Sequence, residues 1–262
     1  MTRHAVAPFQ RLTEAVRRLE RLNEAQWSRP STCPGWSNHD VLIHLACTLR
    51  ETVEPDSLPV AVPGDIERTN DAFVIAFRGQ SPTETLGDYA RLVDQTIDTL
   101  GSLQDEPVAS EPADFHDAGT YPLHLVADAM VFDHFTHLRY DLPVVDSSAS
   151  TSLSQDADIM RVSLGWLIAG LPQMSPARLA KILTAPVDLE LTGPGGGQWT
   201  LRPGASPIAV APSSGGVETV LTSSADAFHQ WGTRRTSWRD SDVEIAGDSQ
   251  LGAAVLDTMR VF

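Results

Sequence analysis

The chain has 262 residues, of which 42% are hydrophobic, and its 19 basic against 34 acidic residues give a formal net charge of −15. That length and apolar content allow one large or two moderate domains and exclude a disordered chain. The acidic balance repels phosphate backbones, so nucleic acid is excluded as a partner, and small molecules are expected instead.

From the N-terminus to about Met174 the pattern is helical. Phe9, Leu12, Val16, Leu19 and Leu22 recur at helical spacing, and the turn-forming stretch SRPSTCPGWS follows. Ser37, three residues before Asp40, then makes a capping box ahead of VLIHLA. Amphipathic segments are expected over about 64–79 and 82–101, separated by Gly79 and Pro82. EPVASEPADFHDAG reads as a loop, and Pro122 as a first-turn residue of a helix that Pro143 stops. One more helix covers about Gln155 to Leu171. Long helices with short connections predict a helical bundle.

Behind a boundary near residue 173 the pattern changes. SPARLAKILT reads as a short helix and VDLELTGPGGGQWTLRPG as two strands around a glycine turn. IAVAP, VETVLTSS and DVEIAGD read as strands, and SADAFHQWGTRR and SQLGAAVLDTMRVF as helices. The expected fold is therefore α+β: a helical domain over 1–173 and a small α+β domain over 174–262. GPGGG lacks the Lys and Ser/Thr of a phosphate loop, so a hairpin turn accounts for it.

Cys33 and Cys47 make neither a disulfide framework nor a CxxC pair, which fits a reducing compartment. MTRHAVAPFQRL has no long apolar core of the signal-peptide kind, and VSLGWLIAGL is too short to span a bilayer. A cytoplasmic protein without membrane partners is expected, as monomer or homodimer.

His44, Asp133 and His137 are the candidate metal ligands. Asp133 and His137 are four residues apart and project from one helix face, where a His from an earlier helix can join them. Two imidazoles and a carboxylate suit a divalent metal with open coordination positions. His44 also reads as a buried neutral imidazole bonded to a carbonyl, and Asp133 as part of a solvated face. His134 lies about 100° around the helix from Asp133, and His124 on roughly the opposite face. Cys47, one turn after His44, reads as a small buried hydrophobe or a nucleophile. Glu51, two turns after His44, reads as an imidazole-orienting partner or a solvated helix end. Arg234 and Arg235, with Arg239 behind them, read as a carboxylate anchor or as salt-bridge partners.

QWSRPSTCPGWSNHDVLIHLA resembles the N-terminal signature of the mycothiol-dependent maleylpyruvate isomerase family, within the DinB-like metal-binding superfamily. The signature core stands as Thr32 to Trp36, its helix histidine as His44, and the second metal motif as Asp133 and His137. LTGPGGGQW, the Trp-Gly-Thr-Arg-Arg run and AGDSQLGAAVL resemble the family's C-terminal domain. The resemblance implies a four-helix bundle holding a divalent metal, usually zinc, on His44, Asp133 and His137. It also implies a low-molecular-weight thiol cofactor such as mycothiol, and a catalytic arginine carried onto Arg235, with Arg234 as the fallback. Two departures stand out. The acidic ligand is Asp133 where the family generally has Glu, and an aspartate often found three residues past the second His is here Tyr140, with Asp141 next.

The expected function is thus a metal- and thiol-dependent isomerase or S-transferase acting on an electrophilic small molecule such as an unsaturated carboxylate. A hydrolase using metal-bound water, or a non-catalytic metal- or ligand-binding protein, is the alternative.

Overall fold

The computed structural model describes residues 5–143, 147–174, 176–204 and 208–261. Residues 1–4, within the stretch read for a signal segment, and Ser175, beside the expected domain boundary, lie outside the described residues. The chain forms two compact units, Met1–Leu153 and Ser154–Phe262.

The first unit contains α1 (Val6–Arg17), α2 (Glu24–Trp27), α3 (Asn38–Val53), α4 (Ile66–Phe77), α5 (Pro82–Ser102), the short strands β1 (Pro112–Asp114) and β2 (Thr120–Pro122), and α6 (Val126–Thr136). Helices α1, α5, α3 and α6 pack in a ring, each on the next, which makes the expected bundle. Apolar spacing explains α1, whose Phe9, Leu12 and Val16 are at most 2% exposed. Side-chain caps set the starts. Ser37 accepts from the Asp40 N–H while Asp40 accepts from the Ser37 N–H, and Ser81 and Glu84 repeat this at α5. α3 is the central helix, with Val41, Leu42, Ile43 and Leu45 all at most 1% exposed.

The region before α6 differs from its expected form. Pro122 does not open a helix: it ends β2, which pairs antiparallel with β1, and a 3₁₀ turn over Leu123–Leu125 leads into α6. The stretch read as a loop therefore holds the first strand of a small hairpin, whose second strand takes the start of the expected helix. Three-residue strands carry too little alternation to register as a pattern.

Asp128, in the first turn of α6, is 4% exposed, and its Oδ1 has no hydrogen-bond partner. Burial pushes its pKa up to about 8. The unfolded chain ionises this carboxyl first, so folding loses stability as pH climbs from about 4 to about 8, by up to ~1.4 kcal/mol per pH unit. Asp128→Asn removes that slope. Its thermal midpoint is expected to exceed the parent's by more at pH 8 than at pH 5, and parallel pH profiles would contradict this.

α7 (Ser147–Gln155) spans the division, and α8 (Ala157–Met174) follows in the second unit. The contact boundary therefore falls ahead of α8, which had been expected to close the bundle. Helix α8 packs instead on β5 (Ala209–Pro212), α9 (Pro176–Ile182) and α10 (Ala225–Gly232). Hydrophobic periodicity showed that α8 buries a face, but not against what.

A five-stranded sheet centres this unit. Its order is β5, β4 (Gly197–Arg202), β3 (Val187–Thr192), β6 (Thr219–Ser224) and β7 (Glu244–Ala246). Only β3 and β6 run parallel, with Leu189 opposite Leu221, and the other neighbours are antiparallel. Helices α10 and α11 (Ser249–Thr258) pack on the sheet. GPGGG is the β3–β4 hairpin. Gly195 sits there at φ 71°, and a Cβ on it would lie 2.4 Å from the Arg161 backbone nitrogen, so the turn packs tightly on α8. Among the described residues, no helix is long and apolar enough to cross a membrane.

Candidate metal centre

The capping box at Ser37 fixes where α3 begins, and so which face carries His44. That face looks into the bundle, leaving His44 4% exposed. Across from it, α6 presents Asp133. His137 follows α6 as the first residue of a π turn, His137–Asp141, closed by the Leu142 N–H donating to the His137 carbonyl at 3.1 Å. Such turns occur mostly as single insertions in α-helices, often at functional sites.

The three expected ligands meet. His44 Nε2 lies 3.0 Å and His137 Nε2 3.5 Å from Asp133 Oδ1, and one donor atom from each residue falls within 4.8 Å of the others. Donors bound tetrahedrally at zinc distances are about 3.3 Å apart, so these separations suit one small cation. Asp133 Oδ2 is buried without a hydrogen-bond partner, an oxygen for which a cation would compensate. The shorter aspartate, in place of the family's usual glutamate, therefore still reaches both imidazoles.

The electrostatics agree. Burial works to raise the Asp133 carboxyl, but attraction to His44 and hydrogen bonds with His137 and His44 hold it well below the usual carboxylate range. Burial works to lower His137, but hydrogen bonds to Asp133, Asp141 and Cys33 hold it well above the usual imidazole value. The cluster is built to retain positive charge.

A second set of contacts surrounds His137. Its Nδ1 is 2.9 Å from Asp141 Oδ2 and 3.8 Å from Cys33 Sγ. Thr32 ties that carboxylate down, its hydroxyl donating to Asp141 Oδ1 at 2.8 Å and its N–H to the Asp141 carbonyl at 3.1 Å. Trp36 covers both imidazoles, with ring centroids 5.2 Å from His44 and 6.4 Å from His137, and donates through Nε1 to Asp71 at 2.9 Å. Cys33, Trp36 and Asp141 had not been read as parts of the site. The signal was present in Asp141, four residues past His137, but was visible only as a displaced family aspartate.

Among the described residues, the other candidates do not join that donor set. His134 is fully buried between Phe9 and Tyr89, its Nδ1 3.0 Å from the Met130 carbonyl, and burial pushes its pKa down to about 4. His124 Nδ1 is 2.9 Å from the Ala109 carbonyl. Cys47 is a buried thiol whose pKa burial pushes up to about 12, so it is no nucleophile. Glu51 makes no hydrogen bond to His44, yet burial raises its carboxyl above the usual range and it interacts with the charges of His116, His44 and Asp133, so it lies beside the cluster and outside the donor set. Arg234 and Arg235 belong to the second unit, exposed just beyond α10, where the Arg235 N–H donates to the Gln230 carbonyl at 2.9 Å.

Residues 9–142 match the family model described as the mycothiol maleylpyruvate isomerase N-terminal domain. No curated protein matches the chain. Solved structures that share the fold include the following two. One is a mycothiol-dependent maleylpyruvate isomerase, with a TM-score of 0.55 and 16% identity over 92% of this chain and 91% of that one. The other is a histidine-to-alanine mutant under the same title, with a TM-score of 0.54 and 15% identity over 92% and 91%.

Proposed function

Because the chain belongs to the mycothiol maleylpyruvate isomerase N-terminal domain family, matched over residues 9–142, we propose that it is a metal- and thiol-dependent enzyme acting on an electrophilic small molecule. The observation that carries this reading is the meeting of His44, Asp133 and His137 around one point. Their donor set fits a divalent cation such as zinc and leaves coordination positions open. When bound, the cation together with a low-molecular-weight thiol such as mycothiol supplies a sulfur nucleophile at neutral pH, able to add to an unsaturated carbon.

The protein's own residues do the rest. His44 and His137 would hold the cation through Nε2, and the Asp133 carboxylate would offset part of its charge. Asp141 holds His137 through Nδ1, which fixes the ring's orientation. Trp36 shields the imidazoles on one side, lowering the local dielectric and strengthening every charge interaction there. Arg235, with Arg234 beside it, holds a substrate carboxylate, for which a guanidinium fork is suited. Isomerisation follows if the added sulfur is expelled after rotation about the former double bond, and S-transfer if it leaves with the product.

The test is turnover of an activated alkene carboxylate by zinc-loaded protein with and without mycothiol. Activity is expected to require the thiol. Undiminished turnover without any thiol would overturn the reading in favour of metal-bound water as the nucleophile.

A further inference from the structure

His137 meets two donor sets, one at each ring nitrogen. Nε2 faces His44 and Asp133, the set described above. Nδ1 faces Cys33 and Asp141, and one donor atom from each of Cys33, His137 and Asp141 also falls within 4.8 Å of the others. Nδ1 lies 2.9 Å from Asp141 Oδ2 and 3.8 Å from Cys33 Sγ. Sulfur and nitrogen donors on one tetrahedral zinc are about 3.5 Å apart, so this second set also closes around a single cation. A nucleophilic triad is excluded, because the thiol and the carboxylate meet the same ring nitrogen and the imidazole cannot relay a proton between them.

The second set is held in place by contacts of its own. Asp141 is 2% exposed, and Thr32 fixes it through two hydrogen bonds. Cys33 opens a turn in which the Trp36 N–H donates to its carbonyl at 3.1 Å. Gly35 stands at φ 82° in that turn, the left-handed position it requires. The Cys33 N–H donates to Ser31 Oγ at 3.1 Å. Its thiol is half-buried and so within reach of solvent, whereas Cys47 is buried. The two sets also differ in chemistry. The first offers nitrogen and oxygen, while the second adds a sulfur, which favours soft cations over hard ones.

We propose that Cys33, His137 and Asp141 form a second cation site, for thiophilic metals, which competes with the first set for His137. A neutral imidazole has a single nitrogen lone pair to give. A cation on Nδ1 therefore leaves the ring proton on Nε2, 3.5 Å from Asp133 Oδ1 and directed at that carboxylate. Cys33 gives its thiol proton to solvent as the sulfur binds. Filling the second set thus empties the first. That a thiophilic metal inhibits turnover by this route rests on the function proposed above; the binding itself does not.

Cadmium titrated into the metal-free full chain tests this, read by the ultraviolet charge-transfer band of a cadmium-bound thiolate. The parent should show the band, saturating at about one cadmium per chain, and Cys33→Ser should lose it. His44→Ala retains all three donors and should retain the band, whether or not its first set holds metal. In zinc-loaded parent the band should grow as zinc is released to a zinc-binding dye, and Cys33→Ser should need about tenfold more cadmium for the same release. Circular dichroism establishes that each variant is folded. No band in the parent, a band that survives Cys33→Ser, or its loss in folded His44→Ala overturns the site. A band that grows with zinc retained overturns the competition. A parent that shows the band but binds no zinc leaves this site standing while the first assignment falls.

Discussion

His137→Ala is expected to leave the purified protein with less than about a tenth of the parent's metal and to lower turnover by at least ~10³-fold. Its Nε2 is one of three candidate donors, and a small divalent cation left with only one imidazole and one aspartate would lose coordination geometry. The imidazole also stands between two carboxylates, with Nε2 3.5 Å from Asp133 and Nδ1 2.9 Å from Asp141. Removing it brings two negative groups together without their shared cation, so some loss of stability is expected as well. Elemental analysis and circular dichroism on the same samples separate the effects, and His44→Ala provides a second route to the same result. Chelation of the parent should lower its thermal midpoint, as a ligand that binds only the folded state requires, and should leave the His137→Ala midpoint unmoved. Full activity in a folded, metal-free variant would end the metal assignment.

Much of the fold was legible because its elements obey local rules strongly. The α3 boundary followed from one side-chain exchange between Ser37 and Asp40, and the β3–β4 hairpin followed from a glycine run that no helix tolerates. The β1–β2 pair was not legible. Its residues include Pro112 and Pro122, which read as loop or helix-start signals, and its pairing depends on contacts that a linear pattern does not record. The affiliation of α8 failed for a related reason. Its apolar face is clear in the sequence, yet whether that face meets bundle helices or β5 and α10 is a tertiary fact.

The candidate metal donors were legible as types and spacing: an i,i+4 pair plus a histidine in an apolar helix. Their surroundings were not. A π turn has no residue signature, so the sequence alone placed Asp141 on a continuing α-helix with no stated role. Cys33 and Trp36 lie in a loop of turn-formers, where spacing says nothing about direction. The structure turns that loop back so that Thr32 meets Asp141 and Trp36 meets both imidazoles.

The role of that turn gives the second large effect. Asp141→Asn is expected to weaken metal binding roughly 10- to 100-fold while leaving turnover at saturating metal much closer to the parent's. The Asp141 carboxylate accepts from His137 Nδ1, which keeps the proton on Nδ1 and Nε2 free to face the cation. Asparagine has nearly the same shape, and its oxygen can still accept, but it lacks the charge that stabilises the imidazole's donor end. Thr32 enters the same chain of contacts, since its hydroxyl donates to Asp141 Oδ1 at 2.8 Å. Thr32→Val should shift metal affinity in the same direction by a smaller factor, on the order of 3- to 10-fold, for the loss of one hydrogen bond to a charged group. A merely structural role predicts another outcome: a lower thermal midpoint in both variants with metal affinity intact. Competition with a zinc-binding dye, run beside thermal denaturation, distinguishes the two. If Asp141→Asn binds metal like the parent, the carboxylate beneath His137 serves the π turn and not the site.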